Sequence, residues 1–573
     1  MKRRLLIIGG VAGGGSCAAR ARRHSEDMEI IIFERGLFVS FANCGLPYYV
    51  GNVIEKEEDL IVASPKRFKD YFNIDVRLGH NVRRIDCKKK EIEVENTSTG
   101  QICFEPYDTL LISPGSAPIF PPLEGIDLPG IFTVKTIPDT REIMDWIERR
   151  GAKKAAVIGG GFIGLEMAEN LKKRGLNVCI VEMQQHVMPA IDPEMAAPIH
   201  AHLKSSGISL YLGSPLTRFQ QLESGKILIT LASGKTDRVD MVILSIGVRP
   251  EIELVRSAGL NIGTLGGIQV DEFMQTSDPH IWAVGDAVEV KDCVTGSNSL
   301  VPLAGPANRQ GRIAADAILG RPDMSGFRGV QATAVCGVMG MTIASTGATE
   351  KTLKNTRING EPVIYEKIYA HPDHTANYYP GSQTIMIKLL FSPEDGRIFG
   401  AQAVGTQGVE KRIDVIAMTI QMQGTVFDLE EAELCYAPQY GAAKDPVNIV
   451  GMIASNVVRN ECAIAHWTDL NPSEVYLLDT RTPEEYEKGH IDAAVNISIE
   501  SLRQRLSELP RDREIWTYCL VGKRSYFASK LLAKAGFNVR SISGGYMVHL
   551  CIKKIQQQSK PKPNPFKFGS SPN

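Results

Sequence analysis

The sequence predicts an α/β protein of several domains, and three observations lead to this fold class. The chain has 573 residues, which is several times the usual size of one domain. Residues 4 to 34 and residues 154 to 182 each follow the order strand, glycine-rich turn, helix, strand, which is a βαβ motif. Residues 467 to 552 also alternate strands and helices, so a smaller α/β domain is expected there.

The first βαβ motif carries a loop typical of dinucleotide binding. Strand RLLIIG is followed by the turn GVAGGG, the helix SCAARARRHS and the strand EIIIFE. Gly9, Val11 and Gly14 occupy the three fingerprint positions, so the loop departs from Gly-x-Gly-x-x-Gly at the second position. Glu34, at the end of the second strand, stands where a carboxylate would bind a ribose diol.

The second βαβ motif carries the complete fingerprint, in Gly159, Gly161 and Gly164, between strand KAAVIG and helix LEMAENLKKRG. These glycines let backbone amides approach a pyrophosphate at the positive end of the helix. Glu182, at the end of strand NVCIVE, is placed to bind a ribose diol and would repel a 2′-phosphate. NADH is therefore favoured, with NADPH possible, and both motifs are predicted to form Rossmann-like dinucleotide-binding domains.

Three further strands fit this arrangement. DTLLISPGSAP (108 to 118) and DMVILSIGVRP (240 to 250) each look like a buried strand ended by Gly and Pro. TSDPHIWAVGDA (276 to 287) is a strand that ends in Gly285-Asp286, and in flavoproteins with two dinucleotide domains the matching Asp holds the ribityl chain of FAD. A Gly-Asp pair by itself predicts only a turn, but together with two βαβ motifs it predicts FAD plus a nicotinamide nucleotide.

Composition argues against several classes of protein. The chain has 64 basic and 65 acidic residues, so neither nucleic acid nor a membrane is expected as a partner. Its 11 cysteines are scattered, which favours a reducing, cytoplasmic location and no metal site. The apolar run in MKRRLLIIGG is too short for a signal peptide, and no apolar stretch approaches the ~20 residues of a membrane helix.

The order of these elements resembles the pyridine nucleotide-disulfide oxidoreductase family over residues 1 to about 450. The resemblance implies a homodimer and adds Ala304 to the predicted FAD-binding residues. It also implies an FAD-binding domain at 1-115 and 250-325, an NADH-binding domain at 116-249, and an α+β dimerisation domain at 326-455.

Cys44 lies in VSFANCGLPYY (39 to 49), a segment that resembles the single-cysteine branch of this family, and most of all its coenzyme A-disulfide reductases. Two-cysteine members carry Cys-x-x-x-x-Cys, but the positions five before and five after Cys44 are Val39 and Tyr49. Cys44 must therefore use either a mixed disulfide with a small thiol such as coenzyme A, or a sulfenic acid. Both reactions need a thiolate, and the flavin and helix amides are expected to lower the pKa of the thiol.

The first helix carries a cluster of arginines, Arg20, Arg22 and Arg23. Such a cluster suits a 3′-phosphorylated ADP group, although a solvated helix face has the same composition.

Two tyrosines resemble a pair that, in this family, reaches over the cysteine from the partner subunit: Tyr378 in NYYPG and Tyr436 in YAPQYG. Their hydroxyls could protonate a leaving thiolate, with simple packing as the alternative. By resemblance, the coenzyme A contacts are Ser16, Arg20, Arg23, Ser40, Asn43, Asn308 and Lys444.

Residues 467 to 552 resemble the rhodanese family, an α/β sulfurtransferase domain. Cys519 follows a strand and opens a loop that ends at Arg524, whose amides would form an anion cradle before a helix. With Lys523 and Arg524 nearby, the loop is expected to hold a thiolate and stabilise a persulfide. Its six residues suit a sulfur atom, since related phosphatases use one residue more. Asp479 and Arg481 are predicted to be structural, and the Pro- and Lys-rich residues 556-573 are predicted to be disordered.

These two parts of the chain predict one combined activity. We expect an FAD-dependent reductase that uses NADH to reduce coenzyme A persulfide, polysulfide or coenzyme A disulfide through Cys44. The rhodanese domain is expected to transfer sulfane sulfur through Cys519. The alternatives are an NADH oxidase or peroxidase that cycles Cys44 through sulfenic acid, and a redox-sensing or sulfur-carrying protein with only slow turnover.

Overall fold

The computed structural model of the chain describes residues 3–322, 324–358 and 360–559. The backbone forms two compact units, each described by itself below. Unit 1 takes the described residues within Met1–Ile180, Leu216–Ala332 and Thr356–Gly360, and unit 2 those within Val181–Pro215, Thr333–Asn355 and Glu361–Asn573.

The described residues form both helices and strands, in chain order. The α-helices are α1 (Ala12–His24), α2 (Leu46–Val50), α3 (Pro65–Phe72), α4 (Ile137–Arg150), α5 (Phe162–Lys173), α6 (Pro193–Ser205), α7 (Glu253–Ser257), α8 (Ala304–Ile318), α9 (Glu350–Lys354), α10 (Val409–Gln421), α11 (Val426–Glu431), α12 (Pro446–Val458), α13 (Pro483–Glu487), α14 (Ile499–Leu502), α15 (Lys523–Lys534) and α16 (Gly545–Ser559). The strands are β1 (Arg4–Ile8), β2 (Glu29–Glu34), β3 (Asp75–Leu78), β4 (His80–Asp86), β5 (Glu91–Asn96), β6 (Ile102–Pro106), β7 (Thr109–Ile112), β8 (Ser116–Pro118), β9 (Ile131–Phe132), β10 (Lys154–Ile158), β11 (Asn177–Glu182), β12 (Ser209–Leu212), β13 (Leu216–Gln221), β14 (Ile227–Leu231), β15 (Thr236–Val239), β16 (Met241–Leu244), β17 (Val248–Pro250), β18 (Ile268–Gln269), β19 (Ile281–Ala283), β20 (Val288–Lys291), β21 (Asn298–Ser299), β22 (Ala334–Val338), β23 (Met341–Gly347), β24 (Arg357–Ile358), β25 (Glu361–Pro362), β26 (Glu366–Ala370), β27 (Met386–Phe391), β28 (Ile398–Gly405), β29 (Ile464–Ala465), β30 (Tyr476–Asp479), β31 (Val495–Asn496), β32 (Ile515–Tyr518) and β33 (Val539–Ile542).

Unit 1 contains the first βαβ motif. β1 pairs in parallel with β2 and β7, and the sheet has the order β19-β7-β1-β2-β3. Helix α1 begins at Ala12, so Gly13 to Gly15, which were expected in the turn, lie in its first turns. Position 14 needs a glycine inside the helix, because a Cβ there would lie 1.9 Å from the carbonyl oxygen of Gly9.

The second βαβ motif follows the same plan. β10 pairs in parallel with β16, which pairs with β9, and the part of β11 up to Ile180 lies on the other side of β10. Helix α5 fills the predicted position between β10 and β11. Both strands predicted to end in Gly and Pro are confirmed, as β7 and β16, and both are buried throughout, as strands of a parallel sheet between helices are.

Unit 2 contains two sheets of different kinds. The antiparallel sheet β22-β23-β28-β27-β26 packs against α10, the helix expected from RIDVIAMTIQMQ. The parallel sheet β29-β33-β32-β30-β31 belongs to the C-terminal α/β domain. The predicted fold class, two α/β parts with βαβ motifs followed by an α+β part and a small α/β domain, is confirmed.

The last helix extends further than expected. α16 reaches Ser559, so residues 556–559 are helical and the predicted tail cannot begin at 556, which agrees with the good helix propensity of glutamine. The remainder of the predicted tail, 560–573, lies outside the described residues. In the part of the chain that the structure describes, none of the helices has the length and apolar character needed to cross a bilayer.

Candidate active sites

The loop after β1 leaves the start of helix α1 open. Val11 is the N-cap of α1, no side chain caps it, and the first turn carries no acidic residue. Glu34 accepts hydrogen bonds from the amides of Gly10 at 3.0 Å and Gly36 at 2.8 Å, which hold its carboxylate at the end of β2. The open amides and the fixed carboxylate fit a pyrophosphate and a ribose diol.

Two other predicted FAD residues lie at element ends in unit 1. Asp286 is half-buried after β19, and its carboxylate accepts a hydrogen bond from the hydroxyl of Ser116 at 2.8 Å. Ala304 is exposed at the start of α8, which has no side-chain cap and no acidic residue in its first turn. This helix start offers amides to an electronegative group, so the residues present fit the predicted cofactor.

The three glycines of the second loop differ in how much space surrounds them. A Cβ on Gly159 would lie 2.3 Å from the carbonyl oxygen of Ser245, and one on Gly164 would lie 2.0 Å from that of Gly159. A Cβ on Gly161, the N-cap of α5, would meet no atom within 4 Å. Gly159 and Gly164 are therefore needed for packing, whereas Gly161 leaves room for a ligand. Glu182 belongs to unit 2, where it is buried.

Cys44 is exposed in the 3-10 turn Asn43–Gly45, directly before α2, and forms no disulfide. Partial enclosure of the sulfur raises the pKa of the Cys44 thiol even though the residue is exposed, and the carboxylates of Glu166 and Asp286 raise it further. The expected lowering of this pKa by a bound flavin and by helix amides stays a prediction.

Helix α5 holds the segment that carries Cys44 through a row of contacts that the sequence did not indicate. Tyr48 donates a hydrogen bond to Glu166 at 3.0 Å. A Cβ on Gly51 would lie 2.1 Å from the side-chain oxygen of Asn170. Arg174 donates to the last carbonyl of α2 at 3.1 Å. The only local signal for Glu166 is its position two residues after Gly164, because Tyr48 is 118 residues away in sequence.

The predicted coenzyme A contacts of helix α1 have partners within unit 1. The Ser16 hydroxyl donates to the side-chain oxygen of Asn308 at 2.7 Å, so the structure brings two predicted residues together. Arg20 forms a two-bond ion pair with Asp316, at 2.9 and 3.1 Å. Arg23 is exposed. The ion pair uses Nε and Nη2 of Arg20, so Nη1 takes no part in it.

Arg22 is not part of a phosphate site, which corrects the predicted arginine cluster. Its side chain is buried, with 3% of the residue exposed. Its guanidinium donates to the backbone carbonyls of Ser25, Glu26, Met28, Phe72 and Asn73. These bonds tie the end of α1 to the end of α3, so Arg22 is structural.

The two predicted contacts next to Cys44 lie in a constrained loop. Ser40 has a positive φ of 48°, and its amide donates to the carbonyl of Gly10 at 3.1 Å. Asn43 donates to the carbonyl of Lys135 at 3.4 Å. The backbone of this loop is therefore tied to the first dinucleotide loop, while the side-chain amide of Asn43 donates one long hydrogen bond.

The two predicted tyrosines meet in unit 2. The hydroxyls of Tyr378 and Tyr436 are 3.1 Å apart, and both residues are exposed, by 72% and 50%. The hydrogen bond with Tyr436 raises the pKa of Tyr378. The following loop is held by the buried ion pair of Arg412 with Asp445, at 2.8 Å. Lys444, beside Asp445, is exposed.

The loop after β32 encloses the sulfur of Cys519. The amide of Gly522 donates to this sulfur at 3.2 Å, and Cys519 is 1% exposed. Arg524 lies beside the sulfur and forms a two-bond ion pair with Glu485, at 2.6 and 2.8 Å. This pair lowers the pKa of Glu485 to about 2. Lys523 is exposed, so Arg524 is the cation that the structure places at the loop.

Asp479 and Arg481 form a buried pair beneath this loop. Arg481 donates to both carboxylate oxygens of Asp479, at 2.6 to 3.0 Å. The guanidinium also lies over the ring of Tyr546, 4.4 Å from its centre. These contacts are those of a structural pair.

Sequence analysis missed a buried charge cluster in unit 2. Lys388 is fully buried on β27 and donates to Asp192 at 2.7 Å and to Glu194 and Glu350. The carboxylate oxygens lie within 4.8 Å of one another, a spacing suited to a metal ion, but the ammonium lies among them. A signal was present, because Lys388 is the one charged residue in the apolar strand QTIMIKLLFS.

Three family models match the chain. The pyridine nucleotide-disulphide oxidoreductase model matches residues 3–311, and the dimerisation domain of that family matches residues 333–445. The rhodanese-like domain model matches residues 465–548.

Curated relatives match most of the chain. An NADH oxidase of Methanocaldococcus jannaschii is 38% identical over 80% of this chain and 100% of its own length. A coenzyme A disulfide reductase of Staphylococcus epidermidis is 33% identical over 78% of this chain and 99% of its own.

Two solved structures match this chain over nearly its whole length. The reduced Bacillus anthracis CoADR-RHD is 44% identical with a TM-score of 0.93, covering 97% of this chain and 99% of its own. An NAD-dependent persulfide reductase from A. fulgidus is 36% identical with a TM-score of 0.87, covering 95% and 99%.

Proposed function

The chain belongs to the pyridine nucleotide-disulphide oxidoreductase family, and we propose that it is an FAD-dependent reductase that uses NADH to reduce coenzyme A persulfide, polysulfide or coenzyme A disulfide. Cys44 is the redox residue, and the rhodanese-like domain transfers sulfane sulfur through Cys519. One observation carries the proposal. A single chain joins an exposed reductase cysteine that forms no disulfide to a second sulfur held by a backbone amide at a helix start.

The cofactor sites follow from the two open helix starts. FAD would be held at the loop of α1, at Glu34, and by the groups at the ends of β19 and α8; when bound, it relays two electrons from NADH to a sulfur–sulfur bond. NADH would lie at the loop of α5, where Gly161 leaves space for its pyrophosphate. Glu182 would select NADH over NADPH because its carboxylate repels a 2′-phosphate.

Cys44 would attack the sulfur–sulfur bond of the substrate and form a mixed disulfide or a persulfide. Two electrons then break that bond and leave a Cys44 thiolate and a second thiolate, or hydrogen sulfide. The hydroxyls of Tyr378 and Tyr436, 3.1 Å apart, would protonate the leaving thiolate. In this proposal the two tyrosines come from the second subunit of a homodimer, which the matched dimerisation domain supports.

Coenzyme A would be bound by hydroxyl, amide and cationic side chains. Arg20, which pairs with Asp316 through Nε and Nη2, and the exposed Arg23 would bind the 3′-phosphate. The other proposed contacts are Ser16, Ser40, Asn43, Asn308 and Lys444.

The rhodanese-like domain would load sulfur onto Cys519 as a persulfide. The amide of Gly522, which donates to the sulfur at 3.2 Å, and the nearby Arg524 would stabilise the anionic outer sulfur. The persulfide then passes its outer sulfur to coenzyme A or directly to Cys44. We further propose that the protein acts in the cytoplasm and that the domain boundaries follow the division predicted above.

Replacement of the two cysteines tests this assignment. Cys44→Ser is expected to abolish NADH oxidation driven by any sulfur substrate, because no other thiol replaces it in the first step. Cys519→Ser should leave coenzyme A disulfide reduction intact and impair the use of polysulfide or thiosulfate. Full activity of Cys44→Ser, or equal loss on all substrates in Cys519→Ser, would contradict the proposed roles.

An NADH oxidase is the second candidate, because a relative of that name is 38% identical. It predicts oxygen or peroxide turnover comparable to sulfur turnover. Mass spectrometry of the unreduced protein separates the two functions. A mass equal to coenzyme A on Cys44 supports the reductase, and an oxygen adduct supports the oxidase.

A further inference from the structure

The loop that carries Cys519 in unit 2 is fixed against the start of helix α16. The amide of Tyr546 donates to the carbonyl of Cys519 at 2.8 Å, and the amide of Met547 donates to the carbonyl of Leu520 at 3.0 Å. A Cβ on Gly545 would lie 2.5 Å from the carbonyl oxygen of Cys519. A contact that holds this helix start therefore also holds the loop.

Strand β26, which lies in the segment matched by the dimerisation domain, makes such a contact. The amide of Tyr369 donates to the hydroxyl oxygen of Ser543 at 3.0 Å, and both residues are buried. A Cβ on Gly544 would lie 2.8 Å from the Cβ of Tyr369. At the other end of the strand, the Glu366 carboxylate lies 2.7 Å from Nε2 of His466. The rhodanese-like domain is therefore packed against β26 at both ends of the strand.

His371 follows β26 and reaches the Cys519 loop itself. Its imidazole donates a hydrogen bond to the carbonyl of Val521. Nδ1 of His371 is buried and has no hydrogen-bond partner in the described part of the chain, so the donor is Nε2. Burial lowers the pKa of His371 to about 4, although the hydrogen bond to Val521 opposes this fall. His371 is therefore neutral near pH 7, and its single N–H proton lies in the bond to Val521.

One peptide group joins His371 to the sulfur of Cys519. The carbonyl of Val521 and the amide of Gly522 belong to the same peptide bond, and this amide donates to the sulfur at 3.2 Å. Successive hydrogen bonds polarise one another, so a donor at the carbonyl strengthens the N–H of the same peptide as a donor. The hydrogen bond from His371 therefore increases the stabilisation that Gly522 gives to a negative charge on the sulfur.

We propose that His371, held by the contacts of Tyr369 with Ser543 and Gly544, is a positioning residue of the sulfurtransferase site and acts on Cys519 through the Val521–Gly522 peptide. The inference rests on the proposed function in one respect, that Cys519 carries the transferred sulfur. The sulfurtransferase site then extends beyond the rhodanese-like domain, because His371 lies outside the matched residues 465–548.

The sulfur that His371 would stabilise is anionic before and after transfer. The Cys519 thiolate attacks the outer sulfur of thiosulfate, the sulfur–sulfur bond breaks, and sulfite leaves with the bonding electrons. Cys519 then holds the outer sulfur as an anionic persulfide. Cyanide removes this sulfur as thiocyanate and the thiolate returns. The charged group beside the sulfur is Arg524, which is paired with Glu485, whereas His371 contributes as a neutral donor.

The first test measures alkylation of Cys519 by iodoacetamide in the reduced holoenzyme from pH 6.5 to 9.5, with mass spectrometry of the Cys519 peptide. His371→Leu should react about two- to fourfold more slowly at pH 6.5, because less of the thiol is ionised. It should be no slower than wild type at pH 9.5, above the usual titration range of a thiol.

Two further variants separate this effect from a loss of packing. His371→Gln should follow wild type at every pH, because its side-chain amide can donate to Val521 in place of Nε2. His202→Leu is the matched control, since it removes an imidazole that bonds to another backbone carbonyl, that of Met339, at 2.9 Å. It should also match wild type.

The second test measures sulfur transfer from thiosulfate to cyanide at pH 7, and coenzyme A disulfide reduction by NADH in the same preparations. His371→Leu should lower the transfer about twofold or more and leave the reduction unchanged, and His371→Gln should restore the transfer. If His371→Leu does not fold, Ser543→Ala, which removes the acceptor of the Tyr369 amide, decides by the same pH profile.

Three results would overturn the proposal: an unchanged alkylation profile in His371→Leu, an equal loss at every pH, or no restoration by His371→Gln. The last two are expected of a residue that only supports packing. The alkylation needs no sulfur substrate. A wild-type protein without sulfur transfer would therefore refute the proposed sulfurtransferase function, and the alkylation profile would still decide the role of His371.

Discussion

Replacement of Lys388 by methionine should destabilise unit 2 strongly and reverse the way its stability responds to acid. The Lys388 ammonium is 0% exposed and bonds three carboxylates that are themselves only 4 to 12% exposed. Methionine fills a similar volume but leaves these charges without their shared cation. Removing one partner of a buried ion pair costs about 3–5 kcal/mol.

The other contacts of the three carboxylates do not replace the lost ammonium group of Lys388. Asp192 keeps hydrogen bonds from Gln402 at 2.8 Å and from the amide of Glu350 at 3.2 Å, and Glu194 keeps one from Tyr369 at 2.8 Å. Glu350 keeps the hydroxyl of Tyr365 at 3.0 Å, Lys367 at 3.0 Å and the exposed Lys354 at 3.6 Å. These neutral donors and two lysines at Glu350 alone cannot offset three carboxylates within 4.8 Å of one another. The lower estimate of the cost corresponds to a fall of at least about 6 °C in the melting temperature at pH 7.

The pH dependence gives the sharper test. In the wild type, burial opposes ionisation of Glu350 and Glu194, but Lys388 outweighs it and holds the pKa of each below its usual range. Their contribution to stability is therefore complete above the unfolded pKa of about 4.3 and is lost as pH falls through the lower folded values. In Lys388→Met the uncompensated carboxylates should have raised pKa values, so stability should increase from pH 7 to pH 5.

The assay is the apparent melting temperature of unit 2 by scanning calorimetry or fluorescence at pH 5, 6 and 7. The control is Lys354→Met, because Lys354 is 65% exposed and lies 3.6 Å from Glu350, so its loss should cost no more than about 1 kcal/mol. A Lys388→Met protein that melts within 2 °C of wild type at pH 7, or that becomes less stable towards pH 5, would refute the electrostatic account.

Further predictions concern the loops of the two proposed reactions. Gly161→Ala should leave the melting temperature unchanged, because the added Cβ meets no protein atom within 4 Å. It should nevertheless raise the KM for NADH by about tenfold or more, since the methyl group occupies space next to the helix amides. Gly164→Ala should lower the melting temperature as well, because its Cβ would lie 2.0 Å from the carbonyl oxygen of Gly159. Equal stability of the two variants would contradict the conclusion that Gly164, and not Gly161, is needed for packing. Glu485→Gln should lower sulfur transfer from thiosulfate by roughly tenfold, a loss of about 1.4 kcal/mol, because Arg524 loses its two-bond partner. Coenzyme A disulfide reduction by NADH should be unaffected, and a parallel fall in both activities would count against a role confined to the sulfurtransferase loop.

Local patterns in the sequence were sufficient to predict the parts of the fold that depend on neighbouring residues. The two βαβ motifs could be predicted because buried strands, glycine turns and helices alternate along consecutive residues. The loop from Cys519 to Arg524 could be predicted for the same reason, since its amides and its sulfur belong to one short turn. The isolation of Cys44 followed from the residue types at positions 39 and 49.

Contacts between residues distant in sequence were decided by the tertiary structure. Sequence placed Arg22 and Arg23 in one basic cluster, but packing of α1 against the end of α3 buries the first and exposes the second. The meeting of Lys388 with Asp192 across 196 residues and of Tyr48 with Glu166 across 118 residues has no local signature. The sequence does not show whether a charged side chain is exposed to water or paired with another residue. Only the folded chain determines its solvation and its pKa.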